Sequence, residues 1–223
     1  MAGEFTRDER SDSGPPDGGE LRVVVQGAPV SLQANRDARL ALTGAVRREL
    51  AAARYMLTGE VSMDVEWMIH ERVRYETDRA PDVDNVLKPI ADSLVGPDGI
   101  IIDDCQVQAV SCRWIDWAAT SQLLTVSVRY RPEEWLPKPD LVFVHIGHSL
   151  YMPVCKSLPS EGIALVLSTW QMMFDSRAKL MEAGWDYYQA QSVTPVQRPF
   201  HKSRIAGKFP IYEMEELRSR HRL

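Results

Sequence analysis

The chain has 223 residues, is 44% hydrophobic and carries a formal charge of -5 at neutral pH. That is enough for one domain with a real core plus a sizeable appendage, and no stretch approaches the roughly 20 apolar residues that a membrane-spanning helix needs. The three cysteines, Cys105, Cys112 and Cys155, lack a C-x-x-C spacing, which points to a reduced cytoplasmic setting, and the lack of a glycine-rich phosphate loop or a G-x-S-x-G elbow argues against an NTPase or an acyl hydrolase.

Met1 to Gly19 is rich in Asp, Glu, Ser, Gly and Pro with no apolar run, so it reads as a disordered tail rather than a signal peptide. Leu21 to Gln26 reads as a first strand. Asn35 to Arg54 follows as a long helix with Asn35 as its cap. On that helix Arg36, Arg39, Arg47 and Arg54 fall in a narrow sector opposite Ala38, Leu42, Ala45 and Val46. The stripe would run roughly 27 Å at about 1.5 Å per residue, long enough to follow several phosphates, although a plain solvated face fits the same pattern. From Val61 to His70 apolar and polar residues alternate, the pattern of a strand with one buried face.

The densest chemistry lies from Pro81 to Asp104, where Asp82, Asp84, Asp103 and Asp104 occur with Asn85 and Lys88. Carboxylates so crowded repel one another unless something positive sits between them, so a hard-cation site is the first expectation. Lys88 is the only lysine before Lys138 and stands four residues after Asp84. A helix from about Asp84 to Leu94 would stack Asp84, Lys88 and Asp92 into one polar stripe opposite Val86, Ile90 and Leu94. Pro89 should kink that helix or delay its first turn. A capped helix with an ordinary i to i+4 ion pair would give the same local pattern. Gly96-Pro97-Asp98-Gly99 then signals a turn, and Ile100 to Ile102 demand burial before Asp103 and Asp104. Strands at about Gln106 to Ile115 and Leu123 to Tyr130 complete a βαβαββ order, with the last two expected to pair as an antiparallel hairpin. The fold class is therefore α+β, a mixed sheet packed with helices.

Asp82-Val83-Asp84-Asn85-Val86-Leu87-Lys88, an apolar helix ending Asp92-Ser93-Leu94, a glycine turn and then Asp103-Asp104-Cys105-Gln106-Val107 together resemble the RusA family of Holliday-junction resolvases. The resemblance spans residues from about 20 to 132. It implies a small mixed α/β endonuclease acting as a homodimer on branched DNA such as four-way junctions. It also implies a Mg²⁺ site, with Mn²⁺ as a possible substitute, at Asp82, Asp84 and Asp104, with Asp103 a less secure ligand and Lys88 the catalytic cation. Arg36, Arg39, Arg47 and Arg54 would be the DNA track. The alternative is a catalytically weak or inactive protein of the same fold that binds nucleic acid or a partner.

Charge is uneven along the chain. Residues 20–135 hold 13 basic and 18 acidic residues, whereas 136–223 hold 11 and 8. A protein gripping DNA should present cations, so the central deficit runs against expectation, and bound Mg²⁺ would offset only part of it. The expected organisation is a tail over 1–19, an endonuclease domain over 20–134 and a C-terminal α/β extension over 135–223. In the extension Leu141 to Ile146 reads as a strand, Ser160 to Ala183 as a helix and Ile211 to Arg220 as a terminal helix. Arg198, Phe200, His201, Lys202, Arg204 and Lys208 form a basic segment that suits either nucleic-acid contact or a plain surface loop. His145, His148 and Cys155 make an incomplete zinc set.

Overall fold

A computed structural model describes residues 14–78 and 80–221. The chain divides into two compact units, 1–135 and 136–223. In the first, β1 (Glu20–Gln26), α1 (Arg36–Glu49), β2 (Tyr55–Leu57), β3 (Val61–His70), α2 (Glu71–Glu76), α3 (Val83–Leu94), β4 (Val107–Trp117) and β5 (Leu123–Arg129) follow in order. A four-stranded mixed sheet runs β1-β5-β3-β4. β5 pairs antiparallel with both β1 and β3, whereas β3 and β4 are parallel.

The expected β4–β5 hairpin does not form, because β3 lies between those strands. Burial explains the order. Leu124, Thr125 and Val126 of β5 are all buried, so this strand needs cover on both faces and takes an interior place. Residues Gln108 to Ser111 of β4 are exposed, which suits an edge. The long β3–β4 connection, containing α2 and α3, permits a parallel pairing. β3 alternates buried and half-buried residues along its whole length, as its sequence period requires.

The core is built from Val23 and Val25 of β1, Leu42 and Val46 of α1, Val61, Met63 and Val65 of β3, Val86, Ile90 and Leu94 of α3, and Leu124 and Val126 of β5. Asn35 caps α1, its Oδ1 accepting from the Ala38 N–H at 2.8 Å. The helix ends at Glu49, not Arg54, since the Ala51 and Ala53 N–H groups bond back to the Arg48 and Leu50 carbonyls in tight turns. Those turns deliver the chain to β2, whose three residues are all buried. The tail expectation also needs correction over 14–19, whose backbone is tied to the domain: Tyr130 donates its hydroxyl to the Pro16 carbonyl at 2.9 Å and its N–H to that of Gly19 at 2.9 Å. Residues 1–13 lie outside the described part.

β6 (Trp135–Pro137) spans the boundary between the units. The second unit contains β7 (Leu141–Gly147), β8 (Leu150–Cys155), α4 (Ser160–Glu182), α5 (Tyr187–Ala190), β9 (Phe200–His201), α6 (Lys202–Ile205), β10 (Ile211–Tyr212) and α7 (Met214–Arg220). Its sheet runs β10-β7-β8-β9. Val142, Val144 and Val154 of this sheet pack with Ile163 and Leu167 of α4 and Leu217 of α7. The expected terminal helix is shorter than its sequence reading because Ile211 and Tyr212 pair in parallel with Phe143 and Val144 of β7. No helix among the described residues is long and apolar enough to cross a membrane.

Candidate active site

Helix α3 begins one residue earlier than its sequence pattern predicts, with Asp82 as its extended N-cap residue. Pro89 does not break it. A proline there has no N–H to give the carbonyl of Asn85 four residues back, and that carbonyl instead accepts from the Leu32 N–H at 2.7 Å. A residue from the loop before α1 thus repairs the helix, which buries Val86, Pro89, Ile90, Ser93 and Leu94 while Asp84, Lys88 and Asp92 stay exposed.

The turn after α3 sets where the second acidic pair arrives. Gly96 has φ +93°, open to glycine and strained for other residues. At Gly99 a Cβ would collide with the Leu94 carbonyl, which also accepts from the N–H groups of Ile100 and Ile101. Ile100, Ile101 and Ile102 are then wholly buried, so the following residues have little freedom of position.

Asp103 and Asp104 separate at this point. The sequence places them at the start of a strand, but residues 104–106 form a single 3₁₀ turn with Asp103 as its cap. The Asp103 carboxylate accepts from the Cys105 N–H at 3.2 Å, and Asp103 is buried. Gln106 closes the other half of the capping box, its Oε1 accepting from the N–H groups of Ile102 (2.7 Å) and Asp103 (3.2 Å). Its Nε2 donates to the carbonyls of Leu57 (3.0 Å) and Gly59 (2.7 Å), locking the turn to the end of β2. Asp104 is left half-exposed, and its Oδ2 accepts from Lys88 Nζ at 2.7 Å.

Lys88 also donates to Asp92 Oδ1 at 2.6 Å, so one ammonium joins two carboxylates from separate elements. The hydrogen bonds it donates to Asp104 and then to Asp92 hold Lys88 above its ordinary pKa, so it is cationic throughout the neutral range. The sequence reading placed Asp92 on the stripe without giving it a site role, and its i+4 spacing from Lys88 was the available signal. Gln106 was likewise missed as the residue that fixes the pair of aspartates, although the D-x-x-Q spacing of a capping box was present.

The structure brings together Lys88, Asp92 and Asp104, with Asp84 one turn away along the same stripe. It does not bring the four expected metal carboxylates together: among the described residues no three His, Cys, Asp or Glu side chains gather closely enough to hold an ion. Asp103 serves as a cap, and Asp104 faces a cation. The exposed carboxylates of Asp82 and Asp84 and the half-exposed one of Asp104 are the hard oxygen donors that suit Mg²⁺. Their chemistry fits such an ion and their present spacing does not.

The arginine stripe is shorter than expected. Arg36 and Arg39 are exposed on α1, but Arg54 lies beyond the helix. Arg47 binds Asp98 at 3.2 Å and the Val95 carbonyl at 3.4 Å, pinning α1 to the turn that follows α3. The incomplete zinc set also dissolves: His145 Nδ1 meets Glu213 Oε2 at 2.9 Å and Nε2 meets the His148 carbonyl at 2.7 Å.

The family comparison falls on this region. A family model described as Endodeoxyribonuclease RusA matches residues 30–129, which hold α1, α3, the turn and all of Asp82, Asp84, Lys88, Asp103 and Asp104. Over residues 30–129 the chain is similar to the RusA family. The match leaves the second unit uncovered. No curated protein matches the chain.

Proposed function

We propose that this chain is a structure-selective endodeoxyribonuclease that hydrolyses phosphodiester bonds in branched DNA, four-way junctions among them, in recombination and repair. The observation that carries this reading is Lys88 held on Asp104 across α3 and the 3₁₀ turn, inside the region that matches an endodeoxyribonuclease family. An ammonium held in place before substrate arrives stabilises negative charge that grows on a phosphate or its leaving oxygen, without reorganising at the moment of reaction. Asp92 and Asp104 hold that ammonium between them. Arg36 and Arg39 are the residues of α1 that would contact backbone phosphates.

The proposed cofactor is Mg²⁺, with Mn²⁺ as its substitute, and Asp82, Asp84 and Asp104 are the carboxylates that would hold it. Such an ion supplies an activated water and neutralises charge on the transferred phosphate. Resolving a junction takes two cuts at symmetric positions, so the working form would be a C2 homodimer. The exposed edge strand β4 is a surface on which a second copy could continue the sheet. Three cysteines outside any disulfide suit a reducing cytoplasm.

A second reading, a RusA-fold protein that binds branched DNA without cutting it, is favoured by the lack of three gathered ligands among the described residues and by the acidic balance of the first unit. A nicking assay on synthetic four-way, flapped and linear DNA separates the two. The nuclease cuts branched substrates in preference to linear ones and only with divalent metal; binding without cleavage under any metal supports the alternative.

A further inference from the structure

The first unit poses an electrostatic problem that the second unit can answer. Residues 20–135 carry five more acidic than basic residues, yet DNA affinity comes largely from cations that replace condensed counterions along the phosphates. In the second unit, residues 187–212 contain no Asp or Glu at all and hold Arg198, Lys202, Arg204 and Lys208 together with His201. The rest of that unit has seven basic and eight acidic residues, so its whole positive excess lies in this one segment.

The segment is built into the fold. Phe200 is buried and stacks edge-on against Phe143 of β7 with ring centres 5.7 Å apart, and Phe209 meets the same ring at 5.3 Å. Ile205 is fully buried between them in sequence. The backbone is fixed by hydrogen bonds from the Lys202 N–H to the Ser149 carbonyl at 2.8 Å and from the Ala206 N–H to that of Lys202 at 2.9 Å. With Phe200, Ile205 and Phe209 turned inward, Arg198, Lys202, Arg204 and Lys208 all remain exposed. Cations on an anchored turn lose little backbone entropy on binding, in contrast to those on a loose loop.

We propose that residues 198–208 form a surface for the phosphate backbone of DNA and supply in cis the grip that the acidic first unit lacks. This rests on the reading that the chain works on DNA. Contacts of this kind hold a duplex without reading its sequence, so the surface would serve the arms of a branched substrate as well as linear DNA.

The test uses the full chain in EDTA with fluorescently labelled duplex and four-way DNA, following anisotropy across a salt series. Lys202→Gln/Arg204→Gln is compared with Lys156→Gln/Lys179→Gln, which removes the same charge from exposed positions elsewhere in the unit. Thermal melts confirm that both variants fold. The first pair should weaken binding and make the slope of log K against log salt shallower by about 2, at roughly 0.9 for each lost phosphate contact, while the second leaves the slope unchanged. Equal effects from the two pairs, or no effect from either, would overturn the proposal. So would strong binding of the unaltered chain to phosphatidylserine vesicles, lost in the first pair, with DNA binding unaffected. A chain that never nicks DNA but shows the slope change retains this surface and loses the nuclease reading; one that nicks but shows no change loses only the surface.

Discussion

Two neighbouring regions of the first unit do opposite work with the same residue types. From Ile100 to Asp103, and again at Gln106, every residue is buried, and the side chains of Asp103 and Gln106 bond to backbone groups within the fold. Close by, Lys88 meets Asp92 and Asp104 at the surface, with Asp84 exposed one turn away on α3, and these groups remain open to solvent. The division falls between two adjacent aspartates. Asp103 is buried as a cap and Asp104 is left half-exposed, so a count of acidic residues in this stretch overstates the number open at the surface.

The largest effect that would sharpen this contrast is expected at Gln106. Gln106→Leu leaves the carbonyls of Leu57 and Gly59 and the N–H groups of Ile102 and Asp103 without this partner. Buried groups left unpaired are costly, so denaturant unfolding should show a loss of about 3 kcal/mol. Asp103→Ala removes a cap and should cost about 1 kcal/mol in the same measurement, with Asp103→Asn close to neutral because asparagine caps as well. On the exposed side, Lys88→Met should change stability by less than about 1 kcal/mol, since both of its ion pairs are open to solvent. A large loss at Lys88 with none at Gln106 would reverse the comparison.

The smallest effect is a pH dependence in the second unit. Burial and nearby Lys202 lower the pKa of His145, but the hydrogen bonds to Glu213 and to the His148 carbonyl prevail and raise it above 6.5. The raised value means that the tie between β7 and the start of α7 is fully present below about pH 6.5 and fades as the pH climbs through the folded-state value. Melts across pH 5 to 9 should show a loss of less than about 1 kcal/mol that His145→Gln abolishes.

Much of the first unit was legible in the sequence because its signals were local. The period of two in Val61 to His70, the Asn35 cap and the polar stripe of α3 each depend on residues within a few positions of one another. What the sequence hid was set by distant partners. Pro89 was expected to disturb α3, and only the Leu32 N–H, more than fifty residues earlier, shows why it does not. Arg47 resembled the other arginines of its stripe until Asp98 arrived from the turn after α3. The strand order could not be read from connection lengths, since the short β4–β5 link invited a hairpin that the burial needs of β5 override. The spacing of the aspartates singled out this stretch, while the capping box decides which of Asp103 and Asp104 faces outward.

The most direct measurement is nicking of a four-way junction by Asp104→Asn and Asp103→Asn proteins, each first shown to melt as the unaltered chain does. The account predicts that Asp104→Asn loses cleavage by at least about a hundredfold, as removal of a group that acts in the transition state does, and that Asp103→Asn cuts nearly as well as the unaltered chain. Cleavage that survives Asp104→Asn and disappears in Asp103→Asn would contradict it.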